Sequence, residues 1–206
     1  MAQPQVELKA KPKAKPTRTR DFPFSPQKGP ITRKHAEKAL RVKPMAKLLP
    51  FLAPLGRYAK TRPPKFHFGW VLEDPNVLLE TAKDLGVTGE GYDIDDSDDD
   101  DEMDSDDEKE PRPTITMREI YLREDALTAV SKKLELAKEP YLAKVFSGGK
   151  DNALMVSLVE NYSLKGFTGS GRDVKSLMEF FKFKTGPRWY IDAYMWMWDS
   201  ESYWLS

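Results

Sequence analysis

The sequence predicts an α+β (or small α/β) domain of about three strands and three to four helices, ordered strand–helix–(acidic loop)–helix–strand–helix–strand. Three observations lead there. Period-two alternation of strongly and weakly apolar residues over 66–72 marks a strand. Helical spacing of apolar residues, opened by hydroxyl or carboxylate caps, marks the helices. A run of 18 residues, 93–110, holds 13 acidic side chains and one lysine, a pattern that repels itself along a helix or a strand.

Residues 1–30 read as a disordered basic tail. Lys9, Lys11, Lys13, Lys15, Arg18 and Arg20 alternate with prolines and small spacers, so the segment has charge to repel itself and little to bury. Residues 31–61 read as a basic and apolar arm, partly helical. A short helix over 31–42 is stopped by Pro44, and Met45, Leu48, Leu49, Phe51, Leu52 and Leu55 then cluster between prolines. Two readings stay open for this arm: a strap packed across the domain, or a peptide that orders on a partner.

A single domain is expected over 62–200. Phe66, Phe68, Trp70 and Leu72 form the apolar face of the first strand; His67 falls on the other face and reads as an exposed structural histidine. Asp74-Pro75 supplies a cap and a first helical position for a helix over 75–85, closed by Gly86. A disordered acidic insertion is expected over 88–112. Thr116-Met-Arg-Glu119 then matches a capping box, opening a helix that runs toward Lys138 with a break near 123–125 and an end before Pro140. Gly148-Gly149 makes a turn. Residues 153–162, apolar on both faces, suit a strand covered on both sides. Ser170-Gly-Arg-Asp173 is a second capping box, opening a helix with Val174, Leu177, Met178, Phe180 and Phe181 inside. Residues 189–198 read as the last strand. These last three elements look like a βαβ unit, which makes those strands parallel with a right-handed crossover.

Charge divides the chain sharply. Residues 1–72 hold 17 Lys/Arg against 3 Asp/Glu, a net +14; residues 73–111 hold 2 against 18, a net −16; the remainder nets +2. Such asymmetry points to charged partners or to pairing of the segments with each other. Basic proteins suit the acidic run, and nucleic acid is a weaker match to residues 9–20. Ser97 and Ser105, each followed by acidic residues, match acidophilic kinase sites, and phosphate there deepens the negative field.

The absence of cysteine excludes disulfides, thiolate catalysis and Cys-ligated zinc. The N-terminus has no apolar core of signal-peptide type, so the reading is a soluble intracellular protein, nuclear or cytoplasmic. No cofactor or metal is called for. Measured from Asp93, an EF-hand needs glycine at Asp98 and glutamate at Asp104. Asp151 stands where a P-loop needs Ser or Thr. Gly169-Ser170-Gly171 lacks the spacing of a nucleophile elbow, and Val174 replaces the third glycine of a dinucleotide fingerprint.

On the last strand, Trp189, Ile191, Ala193, Met195 and Met197 suit a core face. Tyr190, Asp192, Tyr194, Trp196 and Trp198 share the opposite face and form the candidate partner or ligand surface. Asp192 with Glu160 or His67 is the one acid–base constellation the pattern offers, and it requires their strands to be neighbours. The leading expectation is a non-enzymatic interaction module. The alternative is a small-ligand binder or enzyme built around Tyr190, Asp192 and Tyr194.

Overall fold

The computed structural model describes residues 22–26, 29–60, 62–89, 116–165, 167 and 171–198. The basic residues 9–20, the acidic run with Ser97 and Ser105, and Gly169-Ser170 lie outside these described residues.

The fold is α+β. Four helices, α1 (Arg33–Leu40), α2 (Val77–Asp84), α3 (Met117–Leu134) and α4 (Gly171–Phe181), accompany four strands among the described residues. The strands are β1 (Phe66–Val71), β2 (Tyr141–Ser147), β3 (Lys150–Glu160) and β4 (Arg188–Ile191), in the spatial order β2-β3-β1-β4. Every neighbouring pair is antiparallel.

Three expectations are corrected here. The strand count is four, because Tyr141–Ser147 pairs with β3 as a hairpin arm. Gly148 and Gly149 both have positive φ (60° and 82°), the backbone that a two-residue type I′ hairpin turn requires and that glycine alone adopts without a steric penalty. Secondly, the βαβ reading holds in direction, since β3 and β4 run parallel to each other, but it needs refining because the two strands are not neighbours. Both pair antiparallel with β1, which lies between them, so the α4 crossover spans an intervening strand rather than joining adjacent parallel ones. Thirdly, α3 runs unbroken through 123–125 and ends at Leu134, where Glu135 turns left-handed (φ 50°) and Leu136 N–H bonds the Ser131 carbonyl.

The helix caps follow local chemistry. Thr116 Oγ1 accepts the Glu119 N–H at 3.2 Å, one half of the expected box. The other half is absent because the Glu119 carboxylate turns to Arg123 instead, at 3.6 Å. Asp74 is not the cap of α2; its carboxylate accepts the Asn76 N–H at 2.9 Å, and Asn76 is the N-cap residue. Gly86, at φ 70°, closes α2 as expected.

One sheet face packs on helices. Leu72, Leu78, Leu127, Leu154 and Val156 form one buried cluster there, and Trp70, Val130, Leu158 and Leu177 another. The arm is part of the core: Ala39, Phe51 and Leu52 are buried with Phe66, Phe146, Val159, Trp189 and Ile191. Burying a Phe or Leu side chain stabilises by roughly 1.5–3 kcal/mol. Asn161, fully buried, ties arm to sheet. Its Oδ1 accepts the Phe66 N–H at 2.9 Å, and its Nδ2 donates to the carbonyls of Leu52 (2.7 Å) and Pro64 (3.0 Å).

The other sheet face is enclosed by the sheet itself. Just past β4, Asp192 bridges Val145 of β2, and the Ala193 N–H donates to the Lys144 carbonyl at 2.9 Å. The two edge strands therefore meet at one corner. Ala143, Val145, Ala153 and Met155 are buried on this inner side, with Val71, Tyr141 and Tyr190 packed against them. The curl is tight where β1 crosses β3. The register slips between Phe68 and Gly69, and a Cβ on Gly69 would stand 1.9 Å from the Val156 carbonyl oxygen. Only glycine permits that approach.

Candidate functional site

The corner where the sheet closes gathers the ionisable side chains of the inner side. Alternation along β1 puts His67 on this face, and pairing with Glu160 and Tyr190 sets its height. Curling then covers it. His67 is 4% exposed, not an exposed histidine. Its Nε2 lies 2.7 Å from Asp192 Oδ2, and its Nδ1 lies 3.1 Å from the Tyr141 hydroxyl, with Ser157 Oγ at 3.5 Å. The constellation anticipated for Asp192 therefore forms with His67. It does not include Glu160, whose carboxylate pairs with Lys65 Nζ at 2.9 Å. The pairing of β4 with β1, continued by the Asp192 N–H bond to the Lys65 carbonyl, brings Asp192 there, although it lies 125 residues from His67 in the chain.

Asp192 is held on its second oxygen too. Oδ1 accepts the N–H groups of Tyr194 (2.7 Å) and Met195 (2.6 Å), a carboxylate-capped turn. Burial pushes the carboxyl pKa up. The His67 hydrogen bond, the two backbone N–H groups and the His67 charge outweigh it, and the carboxyl is held below its ordinary value. An ionised Asp192 accepts only, so Nε2 carries a proton. Nδ1 then accepts from Tyr141 when the ring is neutral and donates to it when the ring is charged. Burial pushes the Tyr141 phenol up to about 12, opposed by Ser157 and assisted by the charges of Glu160 and Asp192. Tyr141 is thus a hydroxyl at neutral pH.

The same turn ends β4 at Ile191 and breaks the expected strand over 189–198. The five residues of the anticipated surface consequently share no face. Tyr190 is half-buried, and burial raises its phenol pKa against the lowering charge of Arg188. It lines a separate hollow of about 370 Å³ with Trp70, Phe181 and Phe183. Asp192 is buried, and Tyr194 is 63% exposed. Trp196 and Trp198 turn toward residues 22–23, ahead of the arm: Trp196 meets Phe22 edge-on at 5.7 Å, and Trp198 Nε1 donates to the Pro23 carbonyl at 2.7 Å. Met195, expected in the core, is 54% exposed.

A cavity of about 410 Å³ opens at this corner. His67, Tyr141 and Asp192 line it on one side, with the Lys65–Glu160 pair and Tyr194 nearby. Ala143 supplies apolar wall on the inner side, Ile120, Leu142 and Leu154 supply it on the helix-packed side around the β2 edge, and Arg123, Glu124 and Lys144 supply charge. Lys144 Nζ stands 5.8 Å from the Tyr194 ring centre, within cation–π range. The volume falls in the range of small-molecule sites, and an apolar wall with a few convergent polar groups is their usual chemistry.

Sequence reasoning did not find Arg123. It is 3% exposed and sits in the buried stripe of α3 with Ala126, Leu127 and Val130. The signal was present: Arg123, Leu127, Val130 and Leu134 are spaced four, three and four apart, which puts a cation on a core-facing stripe. Tyr141 was missed with its strand. Among the described residues, no three His, Asp or Glu side chains gather to hold a metal ion. Nor is any helix long and apolar enough to cross a membrane. Comparison with protein-family models, with curated proteins and with solved structures finds no match to this chain.

Proposed function

We propose that the protein binds a small molecule in the cavity at the closing corner of the sheet. The observation that carries this reading is the coincidence there of a cavity of about 410 Å³ with a buried Asp192–His67–Tyr141 hydrogen-bond chain. A buried carboxylate is costly unless it is satisfied. This one accepts three hydrogen bonds, and a wall held by such bonds before binding lowers the ordering cost.

Binding suits the geometry better than catalysis. Both imidazole nitrogens are engaged inside the protein, so His67 offers none to a bound molecule. The phenol of Tyr141 is raised in pKa and is a poor base near neutral pH. Engagement of basic proteins or nucleic acid through residues 93–110 and 9–20, and phosphorylation of Ser97 and Ser105, are proposals that rest on charge pattern alone.

The test is a fragment screen on the full chain, with backbone amide shifts as readout. Binders are expected to move the amides of His67, Tyr141, Leu142 and Asp192 together. A screen at millimolar concentration that leaves those four unmoved refutes the reading.

A further inference from the structure

Arg123 lines the cavity with a charge that the protein leaves incompletely paired. Its Nη1 is buried and has no hydrogen-bond partner. The nearest carboxylate, Glu119 Oε2, is 3.6 Å from Nη1, beyond hydrogen-bond length, and the Glu119 side chain is 40% exposed. Nε makes one long bond, 3.4 Å, to the Pro75 carbonyl. Buried polar atoms are almost always hydrogen-bonded, and a buried cation held by one long ion pair and one long hydrogen bond is a costly exception. Its neighbours in the cavity are Ile120, Leu142 and Leu154, which accept no hydrogen bond through their side chains. Glu124 also lines the cavity, but it is solvent-exposed. Lys144 adds a second cation, which stands over the Tyr194 ring.

We infer that the molecule bound in this cavity is an organic carboxylate with an apolar body, its carboxylate held by Arg123 and its body against Ile120, Leu142 and Leu154. The inference rests on the small-molecule reading above and deepens it. A guanidinium presents a planar fork of donors that matches a carboxylate, whereas a lysine at the same place would act only as a point charge. The residue is then specificity-determining, and it is kept at a cost to the free protein. Replacing a buried, weakly paired charge by an apolar side chain of similar length relieves that cost. Arg123→Met is therefore expected to raise the Tm of the free protein while weakening binding. A purely structural arginine behaves in the opposite way.

The experiment uses the full chain and three probes of one size: benzoate, benzyl alcohol and benzamidine. Amide shifts at Leu142 and Tyr141 report occupancy, and the Arg123 side-chain Nε–H resonance reports contact. Benzoate is expected to bind about tenfold or more tighter than either other probe, the gain typical of a charge-assisted hydrogen bond. It is also expected to shift the Arg123 resonance, and Arg123→Met is expected to erase the preference. Equal binding of all three at the cavity overturns the carboxylate inference and leaves the small-molecule reading standing. No shift at the cavity with any probe overturns both. The wild-type comparison decides the matter even where the variant does not fold.

Discussion

Replacing Asp192 by alanine tests the closure of the sheet most directly. The side chain holds three donors: His67 Nε2–H at 2.7 Å and the N–H groups of Tyr194 and Met195 at 2.7 and 2.6 Å. It is 11% exposed, and its partner His67 is 4% exposed, so water cannot substitute readily. Removing one member of a buried hydrogen-bonded pair costs about 3–5 kcal/mol, because the survivor stays buried and unsatisfied. At about 2–4 °C per kcal/mol for a chain of this size, Tm is expected to fall by roughly 6–20 °C. Asp192→Asn should cost less, about 1–3 kcal/mol. Its amide oxygen still accepts from the turn, and the imidazole can shift its proton to Nδ1. Urea unfolding followed by tryptophan fluorescence measures both.

The pH dependence has a definite sign. The folded-state pKa of Asp192 is depressed, so its contribution is present above the unfolded value near 4 and is lost as pH falls through the folded value. The stability gap between wild type and Asp192→Asn should therefore shrink as pH drops below about 4. A loss of less than about 1 kcal/mol for Asp192→Ala at pH 7, or a gap that widens in acid, would show that this pair does not hold the corner.

Three further outcomes are expected. The Tyr141 phenol has a raised pKa, so its contribution to stability is complete below the ordinary value near 10 and is lost as pH rises toward about 12. Ultraviolet difference titration should lose its step near 12 in Tyr141→Phe; loss of a step near 10 instead would contradict the burial argument. Asn161→Ala removes three buried hydrogen bonds, one of them to the arm at Leu52, and should cost about 2–4 kcal/mol, with faster tryptic cleavage at Arg57 and Lys60. Unchanged cleavage would mean that the arm is held elsewhere. Gly69→Ala sets a methyl against the Val156 carbonyl and should cost about 4 kcal/mol or more, read as loss of the cooperative unfolding transition.

Much of the fold was legible because its signals are local. The β1 alternation, the Gly86 stop and the all-apolar run of β3 are each set by neighbours within a few residues. The element missed, Tyr141–Ser147, follows directly on Pro140 and carries Lys144 and Ala143 in its middle, which weakens the strand pattern. Yet Gly148-Gly149 is a type I′ signal, and such a turn implies two strands of matched length, not one. The order of the strands was illegible for a different reason. A helix between two strands implies a crossover, but nothing in that local pattern says whether a third strand lies between them, as β1 does here.

The site was illegible where it depends on curvature. Period two correctly put His67 on the less apolar face of β1, and a flat sheet would have left that face to water. Its burial follows from contacts distant in sequence: Gly69 letting β1 approach β3, and Asp192 reaching Val145. Arg123 is the instructive contrast. Its place on the α3 stripe needs only helical periodicity to see, and a cation there has no packing reason to exist. Selection for stability alone would favour leucine or methionine at that position. An arginine on a core stripe, with a buried nitrogen that makes no hydrogen bond and only a long ion pair, is explained most simply by an acceptor that arrives from outside the chain.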